Sequence, residues 1–121
     1  QLFNQRSNLF ENINLHGAII LYVGSRKNII NKLRSYVETN NGNFVYHDGG
    51  LESSMKELGP KVLQADRIYF PVDYISHSAM HVVKRACHQK AHSSYTPLRS
   101  SSMSAFKLAL GAHFESRIQE I

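Results

Sequence analysis

The segment that decides the fold is residues 18–42, AIILYVGSRKNIINKLRSYVETNNG. It begins with a continuous apolar run that ends at Gly24. Apolar residues then recur at helical spacing as far as the turn Asn40-Asn41-Gly42. This pattern predicts a strand that is buried on both faces, a turn and an amphipathic helix.

The order of strand and then helix recurs along the rest of the chain. Together with the first run, the predicted strands cover residues 18–23, 43–46, 67–72 and 94–98. The later helices are predicted over residues 52–65, 76–90 and 102–119, and Gly59-Pro60 is expected to kink the first of these. Continuous apolar strands that alternate with helices indicate a parallel sheet covered on both faces. We therefore expect an α/β fold, a small Rossmann-like or flavodoxin-like three-layer sandwich with about four parallel strands.

Length and composition indicate one packed domain. The chain has 121 residues, of which 42% are hydrophobic and 19% are charged. Residues 1–17 are interpreted as an N-terminal helical arm or extension, and residues 18–121 as a single α/β domain. The apolar run at residues 18–23 is far shorter than the roughly 20 residues that cross a bilayer. We expect no membrane association and a cytoplasmic location.

Charge and cysteine content exclude several classes of function. Cys87 is the only cysteine, so a disulfide framework within the chain and a site with several thiolates are excluded. The formal net charge of +5 favours anionic partners, although the basic residues are scattered along the chain. The dinucleotide fingerprint and the Walker phosphate loop are both absent from the sequence. Ordinary nucleotide chemistry is therefore disfavoured.

Polar loops after the predicted strands hold the candidate site residues, because ligands of parallel sheets bind beyond the carboxyl ends of the strands. These loops are Gly24-Ser25-Arg26-Lys27, His47-Asp48-Gly49-Gly50, Asp73-Tyr74-Ile75-Ser76-His77 and Arg99-Ser100-Ser101-Ser102. The first loop could hold an anion, or be a simple turn with two solvated cations. The last loop could also hold an anion, or be a capped helix start with one exposed arginine. In the second loop, His47 is a candidate metal ligand, whereas Asp48 could simply form an Asx turn.

The third predicted helix carries three histidines on one stripe. His77, His81 and His88 fall within roughly 40° of one another at about 100° per residue. That stripe lies nearly opposite the apolar face, so solvent exposure is expected for His81 and His88. His77 lies beside the loop and remains a candidate ligand. Cys87 lies at an apolar position and is interpreted as a core thiol.

Six sequence blocks carry a family resemblance. They are Leu21-Tyr22-Val23-Gly24, His47-Asp48-Gly49-Gly50-Leu51-Glu52-Ser53-Ser54, Pro71-Val72-Asp73, Ser76-His77-Ser78-Ala79-Met80, Val83-Lys84-Arg85 and Leu98-Arg99-Ser100. In combination they resemble the bacterial domain-of-unknown-function 2325 family over nearly all of residues 18–110. Tyr74 departs from the pattern, because many relatives have cysteine at this place. That departure weakens any thiol-based mechanism in this chain.

The resemblance implies haem binding and the binding or scavenging of dioxygen. Its two histidine-bearing blocks make His47 and His77 the candidate haem-binding and metal-ligating residues, and Arg99 is the expected partner of a haem propionate. The cofactor would perform the oxygen chemistry, and the protein would supply ligation and a dry pocket. A homo-oligomer is expected, because a second copy could complete the pocket of so small a domain.

Two other classes of function remain open. The first is a regulatory module that senses a small anion at the polar sheet edge or binds nucleic acid through its basic surface. The second is a zinc-dependent hydrolase that uses His47, Asp73 and His77, which ranks lower because the sequence has no familiar zinc motif. Whether the chain is an enzyme stays open, with non-enzymatic cofactor binding preferred.

Nucleic-acid binding is expected to be weak and non-specific. Arg26, Lys27, Lys32 and Arg34 form the densest basic stretch, but helical geometry spreads them around the first helix. Fluorescence anisotropy with labelled duplex and single-stranded oligonucleotides should show binding that ignores sequence and falls steeply as salt rises. Tight, sequence-selective binding near physiological salt would contradict this expectation and favour the regulatory module.

Overall fold

Four parallel strands form one sheet in the order β2-β1-β3-β4. The structure is a computed structural model, and it describes residues 13–24, 26–90 and 94–114. The strands are β1 (Ile19–Val23), β2 (Asn43–His47), β3 (Arg67–Pro71) and β4 (Tyr95–Leu98). The helices are α1 (Lys27–Thr39), α2 (Leu58–Gln64), α3 (His77–Gln89) and α4 (Met103–Phe114), and a 3-10 turn (Met55–Glu57) leads into α2. The predicted α/β fold with a four-stranded parallel sheet is confirmed.

β1 is buried on both faces because helices cover both sides of the sheet. Ile20 and Tyr22 pack against α1 and α4 on one face. Leu21 and Val23 pack against α2 and α3 on the other. All four side chains are fully buried, which explains why this strand is a continuous apolar run rather than an alternating one.

Phe106 on α4 joins three tyrosines on the α1 and α4 face. Its ring makes edge-to-face contacts with Tyr22, Tyr36 and Tyr69, with centroid distances of 5.3, 6.4 and 5.6 Å. Edge-to-face packing places the positive ring edge of one aromatic against the negative face of another. The cluster ties α4 to the centre of the sheet.

A hydrogen bond between Tyr69 and His113 fastens the end of α4. The phenol oxygen lies 2.8 Å from His113 Nδ1. Burial, followed by the charge of Arg67, lowers the pKa of His113 and so favours the neutral ring. A neutral ring can accept the phenol proton at Nδ1, so the hydroxyl of the buried Tyr69 is not left without a partner.

The ends of the elements differ in detail from the sequence predictions. α2 begins only at Leu58, so Gly59-Pro60 lies in its first turn, where a missing backbone N–H breaks no helical hydrogen bond. Ile13 and Leu15, which the sequence analysis assigned to the extension, are buried in the core. The rest of the predicted arm, residues 1–12, and the predicted end of the last helix lie outside the described residues. No helix in the described ranges is long and apolar enough to span a membrane.

Gly24 lies at the tightest point of the turn after β1. Its backbone φ is +88°, and its N–H donates to His47 O at 2.8 Å. A Cβ atom at this position would collide with the backbone carbonyl oxygen of Tyr74. The absence of a side chain therefore lets the loops after β1 and β3 touch.

Replacement of Gly24 by alanine should destabilise the fold more than the same change at Gly17. Both residues have positive φ, which costs alanine about 1–2 kcal/mol. Only position 24 adds a steric clash, because nothing lies within 4 Å of a Cβ at Gly17. Urea unfolding should show Gly24→Ala losing about 1–3 kcal/mol more than Gly17→Ala. Equal losses in the two variants would contradict the close approach at Gly24.

Candidate functional site

A groove opens at the point where the strand order reverses. β1 lies between β2 and β3 in the sheet. The connection that follows β1 therefore leads to one side of β1, and the connection that follows β2 crosses to its other side. Ligands of open α/β sheets bind in the crevice at such a point. The groove has a volume of about 380 Å³ and is lined by Arg26, Asn28, Ile29, Lys32, Asp73, Ser100, Ser101, Ser102 and Met103. It joins the loops after β1, β3 and β4, whereas the loop after β2, which the sequence also placed at this edge, does not line it.

Two cationic side chains line this groove at the start of α1. The guanidinium of Arg26 lies over the ring of Tyr74, 4.6 Å from its centroid. Lys32 is exposed, and within the described residues neither it nor Arg26 forms an ion pair. Lys27 differs, because it contacts Glu52 at 3.0 Å and does not line the groove. Arg26 and Lys32 are therefore the cations available to an anionic ligand here.

Serine hydroxyls close the far side of the groove. Ser102 Oγ accepts the N–H of Ala105 at 3.2 Å and so caps the start of α4. Ser100 Oγ lies 3.1 Å from Ser102 Oγ. The exposed Arg99 precedes this turn and does not line the groove. The structure thus shows a capped helix start with an exposed arginine, which is one of the two interpretations that the sequence left open for this loop.

His47 is fully buried, and both of its ring nitrogens are hydrogen-bonded. The N–H of Gly49 donates to Nδ1 at 3.0 Å, and Nε2 lies 2.9 Å from Ser54 O. A backbone N–H can only donate, so Nδ1 is the acceptor and the ring proton is on Nε2. A bond from His47 to a metal would have to replace one of these two hydrogen bonds.

Asp48 holds the loop after β2 in shape. Its carboxylate accepts backbone N–H groups from four successive residues, Gly50 to Ser53, at 2.9–3.3 Å. Burial raises the pKa of Asp48, but the hydrogen bonds from the backbone N–H groups of Glu52, Gly50 and Ser53 outweigh it, so the net pKa lies below the ordinary value. The Asx-turn reading of Asp48 is confirmed, and the residue keeps its neighbours in place.

His77 lies where the loops after β2 and β3 meet. Ser76 caps α3 by accepting the N–H of Ala79 at 3.1 Å, and its hydroxyl donates to Gly49 O at 3.1 Å. His77 follows it as the first residue of α3 and is exposed. Its ring makes no hydrogen bond within the part of the chain that the structure describes. The imidazole is therefore available to a ligand without any change in the fold.

Exposed apolar side chains occur in the loops after β2 and β3, the two loops that meet next to the start of α3. Leu51 is 77% exposed, Val72 is 52% exposed and Tyr74 is 44% exposed. They are three of the five large hydrophobic side chains that are exposed in the described residues. We call Leu51, Val72, Tyr74 and His77 the edge surface. An exposed imidazole, on loops that also expose apolar side chains, is a group that can ligate the metal of a flat apolar cofactor.

The other histidines predicted on α3 do not join this surface by any observed contact. His81 and His88 are exposed, as predicted. Cys87 is half-buried and packs against the core on the α2 and α3 face. Across residues 13–24, 26–90 and 94–114, no three metal-ligating side chains are grouped to hold an ion. His47, Asp73 and His77 therefore do not form the zinc site considered from the sequence.

Sequence reasoning missed two features of this edge. Lys32 lies one turn beyond Asn28 on α1, and that four-residue spacing places both on one helix face. This spacing is visible in the sequence and could have identified Lys32 as a residue of the same helix face as Asn28. The contact of Arg26 with Tyr74 joins loops that follow two different strands, so no local pattern announces it.

Comparison with known proteins assigns a family. The model of an uncharacterized protein conserved in bacteria, DUF2325, matches residues 19–113. The chain belongs to the DUF2325 family. The match begins at β1 and ends within α4, so the groove and the edge surface of this DUF2325 domain lie inside it. Neither the curated proteins nor the solved structures gave a match.

Asp48→Asn should destabilise the fold near neutral pH. The amide replaces one acceptor oxygen with a donor that faces the N–H groups of Glu52 and Ser53, at a cost of about 1–3 kcal/mol. Glu38→Gln, at an exposed carboxylate on α1, is the control and should change stability by less than about 0.5 kcal/mol.

The pH dependence of this effect follows from the lowered pKa of Asp48. The ionised carboxylate of Asp48 stabilises the fold fully above the pKa of the unfolded state, which is about 4. This stabilisation is lost as pH falls through the lower pKa of the folded state. Urea unfolding should therefore show a gap between the wild type and Asp48→Asn that is widest at neutral pH and narrows in acid. A gap that does not change with pH would count against an ionised Asp48.

Proposed function

We propose that this domain binds haem at the edge surface, where His77 would ligate the iron, and that dioxygen is the molecule that is bound or scavenged. The observation that carries the proposal is the unengaged imidazole of His77 at the start of α3, directly after the loop that exposes Val72 and Tyr74. Haem needs both a metal ligand and an apolar surface for its macrocycle. The family resemblance supplies the choice of haem over other metal-bearing cofactors.

The two candidate ligands fit this proposal differently. His77 meets the requirement as it stands, because its ring has no competing partner within the described residues. His47 does not, because both of its nitrogens hold the loop after β2 through Gly49 and Ser54. We assign His47 the role of positioning residue. It keeps that loop against Ser76, and Ser76 sets the start of α3.

Cationic side chains close to the edge surface suit the propionate groups. Arg26 lies over the ring of Tyr74, so its guanidinium is next to the apolar surface. Arg99 is exposed after β4, the strand next to β3. Both carry the planar fork of donors that binds a carboxylate in a bidentate manner. When bound, the cofactor would supply the oxygen chemistry, while these residues would orient it.

A second copy of the chain supports this function by excluding water. Leu51, Val72 and Tyr74 are open to solvent in one chain, and a cofactor with only one covered face would remain wet. Apolar side chains exposed together favour association with another surface. Sedimentation velocity with and without haem tests this self-association, and the expected result is a haem-dependent increase in mass.

The haem proposal is tested by titrating the apoprotein and its variants with haem. The wild type should give a visible spectrum typical of histidine ligation. His77→Ala should weaken binding by about tenfold or more and change the spectrum, because the imidazole that would ligate the iron is lost. His88→Ala, an exposed histidine further along α3, is the matched control and should behave as wild type.

Free imidazole gives a second readout for the same ligand. Added to haem-loaded His77→Ala, it should restore the wild-type spectrum, because it replaces the missing ring without repairing any other contact. An unchanged spectrum and affinity in His77→Ala would sink the assignment. An equal loss in His88→Ala would show that haem binds the histidines of α3 without selecting the edge surface.

A second candidate function is the binding of a small anion by a regulatory module. The groove next to the edge surface favours it, because Arg26 and Lys32 line it without an ion-pair partner in the described residues. Calorimetric titration with inorganic phosphate at low salt tests this candidate, and binding that is weakened by Lys32→Gln is the expected result. This function requires neither His77 nor haem, so the two candidates are separable.

A further inference from the structure

We propose that the groove lined by Arg26, Lys32, Asp73 and residues 100–103 binds a small phosphate ester that also carries an ammonium group. The proposal rests on the second candidate function, anion binding, and names the class of ligand. It is carried by the placement of both charge signs in one groove, with two cations from the beginning of α1 and one carboxylate from the loop after β3.

The anionic end of the ligand is set by Arg26 and Lys32. Both line the groove, and neither is neutralised by an acid among the described residues. A phosphate brings three acceptor oxygens, which these two cations and the hydroxyl of Ser101 can share. The groove is therefore suited to an acceptor-rich anion.

The cationic end of the ligand is set by Asp73. Asp73 is exposed, lines the same groove and forms no ion pair with Arg26 or Lys32. A carboxylate accepts hydrogen bonds and repels a bare phosphate. A ligand that places an ammonium group against Asp73 turns this repulsion into attraction. Asp73 thus selects among phosphates and favours those that bring their own donor.

The size and position of the groove fit a small molecule. Its volume of about 380 Å³ lies at the lower end of the range for small-molecule sites. It lies where the strand order reverses, beyond the carboxyl ends of β1 and β3. A ligand of a few carbon atoms between its two charged groups can reach both sides of such a groove.

The experiment is calorimetric titration of the full chain with three probes at low salt. The probes are inorganic phosphate, ethanolamine and O-phosphoethanolamine, which carries both charged groups. O-phosphoethanolamine should bind more tightly than phosphate by up to about fivefold, the scale of one exposed ion pair. Ethanolamine alone should bind most weakly.

Variants separate the two ends of the ligand. Lys32→Gln should weaken phosphate and O-phosphoethanolamine alike. Asp73→Asn should weaken O-phosphoethanolamine, which loses its ammonium partner, and strengthen inorganic phosphate, which loses a repelling charge, so that the two affinities converge. Lys27→Gln is the matched control, because Lys27 is on the same helix but is paired with Glu52 outside the groove. All three positions are exposed, so circular dichroism should show an unchanged fold.

Each outcome has one reading. Equal affinity for the two phosphates, or no effect of Asp73→Asn, overturns the role of Asp73 while anion binding in the groove stands. If neither inorganic phosphate nor O-phosphoethanolamine binds, both the role of Asp73 and anion binding in the groove are overturned. If Lys27→Gln weakens binding as much as Lys32→Gln, the phosphates are attracted only by net charge and the groove is not the site.

Discussion

The close approach of three loops at Gly24 is the constraint on which the rest of the edge depends. Its N–H bonds to His47 O, at the end of β2, and the carbonyl of Tyr74, after β3, packs where a side chain would lie. A Cβ at Gly49 would also be in ordinary contact with Gly24. The three loops therefore form one layer, and any residue placed in that layer has a fixed position relative to the sheet.

Some polar side chains in this layer form hydrogen bonds that fix the loops, and others form no hydrogen bond in the described part of the chain and stay available to a ligand. His47 and Asp48 use all their ring nitrogens and carboxylate oxygens on nearby backbone atoms. His77, in contrast, is placed by its neighbour Ser76 and has no partner of its own among the described residues. Most buried polar groups are hydrogen-bonded, whereas an exposed one can remain available to a ligand. This separation makes His77 the stronger ligand candidate of the two.

The edge surface and the groove share one side chain, because Arg26 lines the groove and lies over Tyr74. A ligand on either site would change the environment of that guanidinium. If both sites are used, binding at one should alter affinity at the other, since a contact shared by two ligands is a direct route of coupling. Arg26 is therefore the residue that would couple haem binding at the edge surface to anion binding in the groove.

The sequence by itself determined the fold class and the composition of the loops at the carboxyl edge. The double-sided burial of β1 is visible as the apolar run at residues 19–23, and the cap at Ser76 as a hydroxyl residue before a helical pattern. These features are local, and local patterns survive in a linear sequence.

Only the tertiary structure decided which loop residues are engaged and which are available. His47 and His77 look alike as residues of two strand-end loops, yet one is bonded at both nitrogens and the other has an unengaged ring in the described structure. The partners of His47 depend on how the loop folds back, and the contact of Arg26 with Tyr74 depends on β1 and β3 being neighbours. Both are consequences of strand order and loop closure, and hydrophobic periodicity carries no information about either.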